Sequence, residues 1–306
     1  MPERTYVKTV SPRARAKDHE RLFEDEYERL KEALDTETNA AVVSEPYGGR
    51  DALLDELASY VDGAKRLTLG SVADAEGGIP DGADVCLVEG CRYLYTRRIG
   101  GFEPLEDFVE AVAASEATVV ASWNTYAWSY TRHATEIDDV FGEEVVLPDL
   151  SAPRLAEMLA SEYDVSEFES DLEEIKKEGE SLIDRLPASI RFRIEERSEN
   201  TFEKISARSG GNPGVASAVF EGRTWEKETH TAELSYEDAF ALLVVLTKEE
   251  VKAGVLEEVV SPRSLERSLR RLSDAGYVET DGDSVTLRTE RLVDTVGLLE
   301  RRNLVW

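Results

Sequence analysis

The sequence predicts an α/β chain. An open parallel sheet with helices on both faces is followed by a helical segment and a C-terminal unit of three helices and a β-hairpin. Three observations predict this. Short apolar runs alternate with amphipathic helix patterns from about residue 19 to 165, the signature of parallel strands joined by crossover helices. Residues 166–232 then turn helical and highly charged. From 233, three helical patterns precede two short strands around an Asp-Gly pair, a hairpin signal. The 306 residues suffice for about two domains.

The elements follow in order. Residues 1–18 are polar and basic without periodicity and read as an arm. HERLFEDEYERLKEAL, 19–34, places Leu22, Phe23, Tyr27, Leu30 and Leu34 on one helical face. NAAVVSEP is a buried strand, and DALLDELASYV is the helix that leaves it. KRLTLGSV is a second strand, GGIPDG a turn, and ADVCLVEGC a third strand whose unbroken apolar run fits burial on both faces. FEPLEDFVEAVAAS is a helix, ATVVASWN a fourth strand, and VVLPDL a fifth. SAPRLAEMLASEY starts at Ser151 with Pro153 in its first turn, a favourable helix N-terminus. Residues 19–165 form the α/β domain, 166–232 a helical lid and 233–306 the C-terminal domain. In the last, SYEDAFALLVVLT, VKAGVLEEVV and SPRSLERSLRRLSDAG are helices, and ERLVDTVGLLERRN closes the chain. Three helices before a hairpin is the winged helix-turn-helix pattern, with 261–275 in the recognition position.

Composition narrows the function classes. Asp+Glu total 64 against 36 Lys+Arg, a formal net charge of −28, while 41% of residues are hydrophobic, enough for a packed core. Acid is spread along the whole chain, and Arg outnumbers Lys 26 to 10. This composition resembles that of cytoplasmic proteins from salt-in halophilic archaea, where concentrated salt screens like-charge repulsion. No apolar stretch reaches the ~20 residues needed to span a membrane, and the N-terminal stretch lacks the form of a signal peptide, so a soluble, cytoplasmic protein is expected. Cys86 and Cys91 lie beside or within an apolar run, and with three His no metal-ligand spacing exists. Cys86 is expected in the core.

Residues 42–57, VVSEPYGGRDALLDEL, have the strand–glycine turn–helix layout of a phosphate-binding loop, G-x-x-x-x-G-K-[ST]. Three fixed positions depart from it: Ser44 replaces the first Gly, Arg50 the Lys and Asp51 the Ser/Thr, while Gly49 matches and Gly48 precedes it. An open parallel sheet binds ligands at the carboxyl ends of its strands, where this loop falls. About 35 residues on, VCLVEG has four apolar residues and then Glu89 and Gly90; later TVVASWN ends on Asn124, and SGGNPGVAS carries Pro213 after Gly211 and Asn212.

In this order the motifs resemble the AAA+ and STAND P-loop ATPases, over most of the chain. Archaeal STAND ATPases and origin-recognition ATPases are nearest in layout, and the stretch CRYLYTRRIGGF…SWNTYAWSY is similar to one in a haloarchaeal protein family. The resemblance implies a parallel-sheet P-loop NTPase-like core, a helical lid and a C-terminal winged helix-turn-helix. It implies ATP or ADP held by Ser44, Gly48, Gly49, Arg50, Asp51 and Pro213, with Pro213 near the adenine. It implies Mg²⁺ near Asp51 and Glu89, Glu89 as the Walker B acid and Asn124 as the first sensor that orients attacking water. The departures weaken catalysis. Arg50 keeps the charge of the P-loop Lys but is planar and bulkier. Asp51 brings a negative charge to the phosphates, Gly90 stands where related ATPases often carry the water-activating acid, and Gly214 takes the place of the second-sensor Arg. Two readings stand: a regulatory or scaffold protein whose ATPase has decayed, and an active ATP-driven switch. An unrelated parallel α/β domain is a third.

Three further stretches carry alternatives. Arg263, Arg267, Arg270 and Arg271 on 261–275, with Arg288 after the wing, make a basic cluster suited to DNA phosphates, although Glu266, Asp274, Glu279, Asp281 and Asp283 surround it and a protein contact is the alternative. WNTYAWSYTRH, 123–133, reads as core packing or as a partner-binding aromatic patch over 123–130. Arg97 and Arg98 read as a solvated turn or as an interface.

Overall fold

The computed structural model describes residues 22–71, 74, 78–80, 82–178, 200–224 and 234–305. The expected arm at 1–18, part of the GGIPDG turn and the lid segments 179–199 and 225–232 lie outside the described residues.

Helix α1, Glu24–Asp35, opens the described chain and buries Tyr27, Leu30 and Ala33. β1 (Ala40–Ser44), β2 (Lys65–Thr68), β3 (Val85–Glu89), β4 (Thr118–Asn124) and β5 (Glu143–Val146) form one parallel sheet in the order β2-β3-β4-β1-β5. The predicted parallel α/β core is present. All residues of β1 and β4 are buried, which explains their uninterrupted apolar character. Alternation along the strands divides the core. Val42, Leu87 and Val120 pack with α1, α2 (Arg50–Tyr60) and α5 (Ala152–Glu162), whereas Val43, Cys86, Val88 and Trp123 pack with α3 (Glu103–Ala114) and α4 (Thr125–Ala134). Both cysteines are free and buried. The register pairs Ser44 with Asn124, so the ends of β1 and β4 reach the same level at the carboxyl edge.

Beyond α5, the chain forms α6 (Glu169–Glu178), α7 (Thr201–Ser209) and α8 (Pro213–Gly222). The C-terminal unit is α9 (Tyr236–Lys248), β6 (Glu250–Lys252), α10 (Ala253–Glu257), α11 (Pro262–Asp274), β7 (Val278–Asp281), β8 (Ser284–Leu287) and α12 (Leu292–Arg301). Its antiparallel sheet has the order β6-β8-β7. A reciprocal capping box starts α9: Asp238 N–H donates to Ser235 Oγ at 3.2 Å and Ser235 N–H to Asp238 Oδ2 at 2.8 Å.

One element assignment is corrected. Residues 251–260 are not one helix: Val251 pairs with Val285 across an antiparallel ladder, and only 253–257 is helical. A buried β-branched residue facing a partner strand outweighs the local helical spacing. Residues 125–134 form a helix capped by Asn124.

Candidate phosphate-binding site

β1 ends at Ser44 and α2 begins at Arg50, so residues 45–49 make the whole turn. Gly49 caps the helix at φ +92°, and a Cβ there would lie 2.7 Å from the Phe23 ring. A Cβ on Gly48 would meet the Glu45 carbonyl at 2.9 Å. Tyr47 also takes positive φ, 64°, and is held there from two sides: its carbonyl accepts the Gly214 N–H at 3.1 Å, and its hydroxyl donates to the Leu287 carbonyl at 2.8 Å. The Asn212 side chain caps α8 and donates to the Pro46 carbonyl at 2.9 Å. Pro213 begins α8 and its Cγ lies 3.6 Å from where a Cβ on Gly49 would be. The 211–214 segment therefore sits directly on the loop.

The Arg50 side chain is only 3% exposed. One guanidinium nitrogen donates to Ser44 Oγ at 3.2 Å and the Glu45 carbonyl at 3.1 Å, and the other forms a close ion pair with Glu249. Asn124 Nδ2 donates to the same Glu249 oxygen at 3.1 Å, while an Arg92 nitrogen lies 3.4 Å from the second oxygen. Burial pushes the Glu249 carboxyl up, but Arg50, Arg92 and the Asn124 hydrogen bond outweigh it and hold the group below the usual Glu range. The other amide atom of Asn124 accepts the Tyr126 N–H at 2.9 Å, which fixes the amide's orientation. Arg50 Nε is buried with no hydrogen-bond partner among the described residues.

Glu249 reaches this point because α9 ends there. Its backbone stands at φ +63°, ψ −50°, a sparsely populated conformation for a non-glycine residue. Both neighbours are fastened to the 92–95 segment. Lys248 Nζ donates to the Arg92 and Tyr95 carbonyls and lies 3.9 Å from the Tyr95 ring centre; Arg92 Nε donates to the Lys248 carbonyl at 2.9 Å; and Tyr93 hydroxyl donates to the Glu250 carbonyl at 2.8 Å. Burial, with Arg92 and Arg97 nearby, pushes the Lys248 ammonium well below the usual lysine range.

Ser44, Gly48, Gly49, Arg50, Asn124 and Pro213 thus gather at one edge of the sheet. Asp51 is exposed in the first turn of α2. β4 lies between β3 and β1, so Glu89 is not on a strand adjacent to the loop; its carboxylate pairs with Arg66 and accepts from the Thr68 hydroxyl at 3.1 Å. Desolvation by the surrounding chain raises the Asp51 carboxyl, and Glu89 is near enough to add to that rise. Among the described residues, no group of three or more His, Cys, Asp or Glu is arranged to hold a metal ion. Gly90 is at φ +76°, and a Cβ there would overlap the Leu69 carbonyl oxygen. In this arrangement the Arg50 guanidinium, expected on the phosphates, and the Asn124 amide, expected on the attacking water, both converge on a carboxylate of the chain itself.

The aromatic stretch is not an open patch. Trp123 is fully buried, Trp128 is 4% exposed and donates to Glu144 at 3.0 Å, and Tyr130 packs on Tyr95 and Phe102. Arg97 stacks 3.8 Å from the Tyr130 ring centre, and Arg98 pairs with Glu258 at 3.4 Å. On α11, Leu265 and Leu272 are buried and Leu269 packs partly against the same core. Arg263, Arg267 and Arg270 are exposed. Arg271 of the expected basic cluster is engaged elsewhere: it makes a bidentate pair with fully buried Asp238 at 2.5 and 2.9 Å. Burial pushes Asp238 up, but Arg271 and the Ser268 and Ser235 hydrogen bonds outweigh it and take its carboxyl down to about 2. Arg288 is paired with Glu279 at 3.0 Å and Glu290 at 3.3 Å.

Sequence reasoning missed Glu249, Lys248 and Arg92. A charged TKEE directly after the apolar run of α9 is the one local signal, since a lysine there continues a buried helix face.

No family model matches the sequence, and no curated protein matches it. Among solved structures the chain is similar to the Aeropyrum pernix ORC2 protein in ADPNP–ADP complexes, with TM-score 0.38, 13% identity and 97% of each chain covered. It is also similar to the Aeropyrum pernix ORC1 protein in complex with DNA, with TM-score 0.39, 17% identity and coverage of 91% of this chain and 92% of that one. For a Thermotoga maritima RuvB A156S mutant the values are 0.35, 14%, 92% and 94%. These likenesses are remote, and the site above stands on the chain's own geometry.

Proposed function

We propose that the chain is an AAA+-like regulatory or scaffold protein of the STAND type whose ATPase machinery no longer turns over ATP. Its C-terminal unit acts as a winged helix-turn-helix that contacts DNA. The observation that carries the first part is the Arg50–Glu249 pair, because the one cation on the loop is already neutralised inside the protein. The engagement of Glu89 by Arg66 and Thr68, and a glycine at 90, support the same reading and favour a site without Mg²⁺. Nucleotide, ATP or ADP, is then a ligand rather than a substrate. In multimolar KCl with Mg²⁺, ATP hydrolysis should stay at background. A kcat near the ~1 s⁻¹ low end of ordinary enzymes would establish the alternative, an ATP-driven switch.

The helix–strand–helix–helix–hairpin order of the C-terminal unit supports the DNA reading, as do three exposed arginines on α11. Arg271 is unsuitable for testing it, since its removal strands buried Asp238. Replacing Arg263 and Arg267 together by Ala should leave the melting temperature unchanged and weaken a specific DNA shift by roughly tenfold or more per arginine. Unaltered DNA affinity in that variant would move the unit to a protein-contact role.

A further inference from the structure

We propose that Glu249 is a built-in occupant of the phosphate site, so that a phosphate chain and the seated end of α9 compete for Arg50 and Asn124. This rests on reading residues 44–51 as a phosphate loop and goes beyond it by naming what must leave when a ligand enters. Three observations converge. The side chains at the P-loop Lys position and the first-sensor position both close on Glu249, although they come from different elements of the fold. The Glu249 backbone is held at φ +63°, a conformation that persists only where the surroundings enforce it, and such strain concentrates at switch and ligand sites. Arg50 Nε, in a side chain only 3% exposed, is left without a partner among the described residues, so one carboxylate does not satisfy the guanidinium.

The chemistry of the exchange is simple. Glu249 presents one negative charge to Arg50 and Arg92. A diphosphate or triphosphate presents more charge and more acceptor oxygens to the same donors, and two anions in one pocket repel each other. The carboxylate must therefore withdraw. A cavity of about 570 Å³, lined by Tyr93, Tyr95, Lys248, Glu250, Val255 and Ser284, adjoins the residues on either side of Glu249. Withdrawal would also pull Lys248 and Glu250 from the 92–95 segment. Ligand entry thereby becomes release of the C-terminal unit.

The test compares affinities of the full chain and its Glu249→Gln variant for ATP, ADP and pyrophosphate, by calorimetry in multimolar KCl. The substituted amide keeps the shape of the carboxylate and an acceptor for Asn124 but drops the charge. The variant should bind at least about tenfold more tightly, because the competent state is populated before the ligand arrives. Tighter binding of pyrophosphate alone would assign the site to a phosphate chain, and a preference for ATP would assign it to a nucleotide; both support the exchange. Amide hydrogen exchange on the unmodified protein gives a readout free of any folding defect: saturating ligand should speed exchange across 248–252. Equal affinities in the two proteins, no binding by either, or saturation of the unmodified chain with unchanged exchange at 248–252 would overturn the proposal. Hydrolysis by the Glu249→Gln variant is scored separately, since turnover there would contradict the non-catalytic reading and leave the competition intact.

Discussion

Replacing Arg50 by Ala should destabilise the protein more than any other change to the loop, by about 3–5 kcal/mol, the usual cost of leaving a buried charge without its partner. Glu249 is 8% exposed, and Arg50 gives it its closest ion pair. Arg92 remains at 3.4 Å, which places the effect toward the lower end. Ser44 Oγ and the Glu45 carbonyl also lose a donor. For a chain of 306 residues the melting temperature should fall by roughly 5–8 °C. The comparison that separates pairing from packing is the double variant Arg50→Ala/Glu249→Ala. The double variant removes the stranded carboxylate but leaves Arg92 without its anion, so the cycle is completed with Glu249→Ala and read as a coupling energy, which should exceed about 1 kcal/mol in favour of the pair. Melting curves in multimolar KCl decide it: an Arg50→Ala protein that melts within about a degree of the unmodified one would mean that Glu249 does not depend on this partner.

Gly90→Ala is expected to cost roughly 2–5 kcal/mol, from forcing a Cβ onto a left-handed backbone and from steric overlap. The overlap is with backbone, since the added atom would fall on the Leu69 carbonyl oxygen. Leu69 cannot retreat easily, because its N–H donates to the Glu89 carbonyl at 2.9 Å and continues the pairing of β2 with β3. The same geometry bears on catalysis. Installing a water-activating acid by Gly90→Glu should give no hydrolysis and a protein at least as unstable as the Ala variant. Urea unfolding of the two variants measures this. A Gly90→Ala protein of normal stability would show that the 90 position has space, and the case against an acid there would fail.

What the sequence revealed and what it hid divide along the range of the interaction. The parallel core was legible because burial on both faces leaves an unbroken apolar run, as in VCLVE and TVVASWN. The loop was legible because glycines must stand where the chain turns into α2. β6 was not, since Val251 becomes a strand residue only through Val285, on the far side of α11 in the chain. The basic cluster on α11 loses a member for the same reason: Arg271 looks available until Asp238, on another helix, is placed beside it. Arg50 and Glu249 are 199 residues apart, and nothing local to either announces the other. The aromatic crowding at 123–130 was visible, but its spacing could not say that Trp123 points into the core while Asn124 caps a helix.

The bond from Tyr47 to the Leu287 carbonyl has a consequence for how the protein is made. Its two ends are 240 residues apart. Domains generally fold as units in order of synthesis, and at about 5–20 residues per second roughly 10–50 s separate the emergence of the two ends from the ribosome. During that interval Arg50 lacks Glu249, its partner 199 residues further on. The contact of loop 44–51 with the C-terminal unit can form only after that interval, together with the hydrophobic core that the two parts of the chain share.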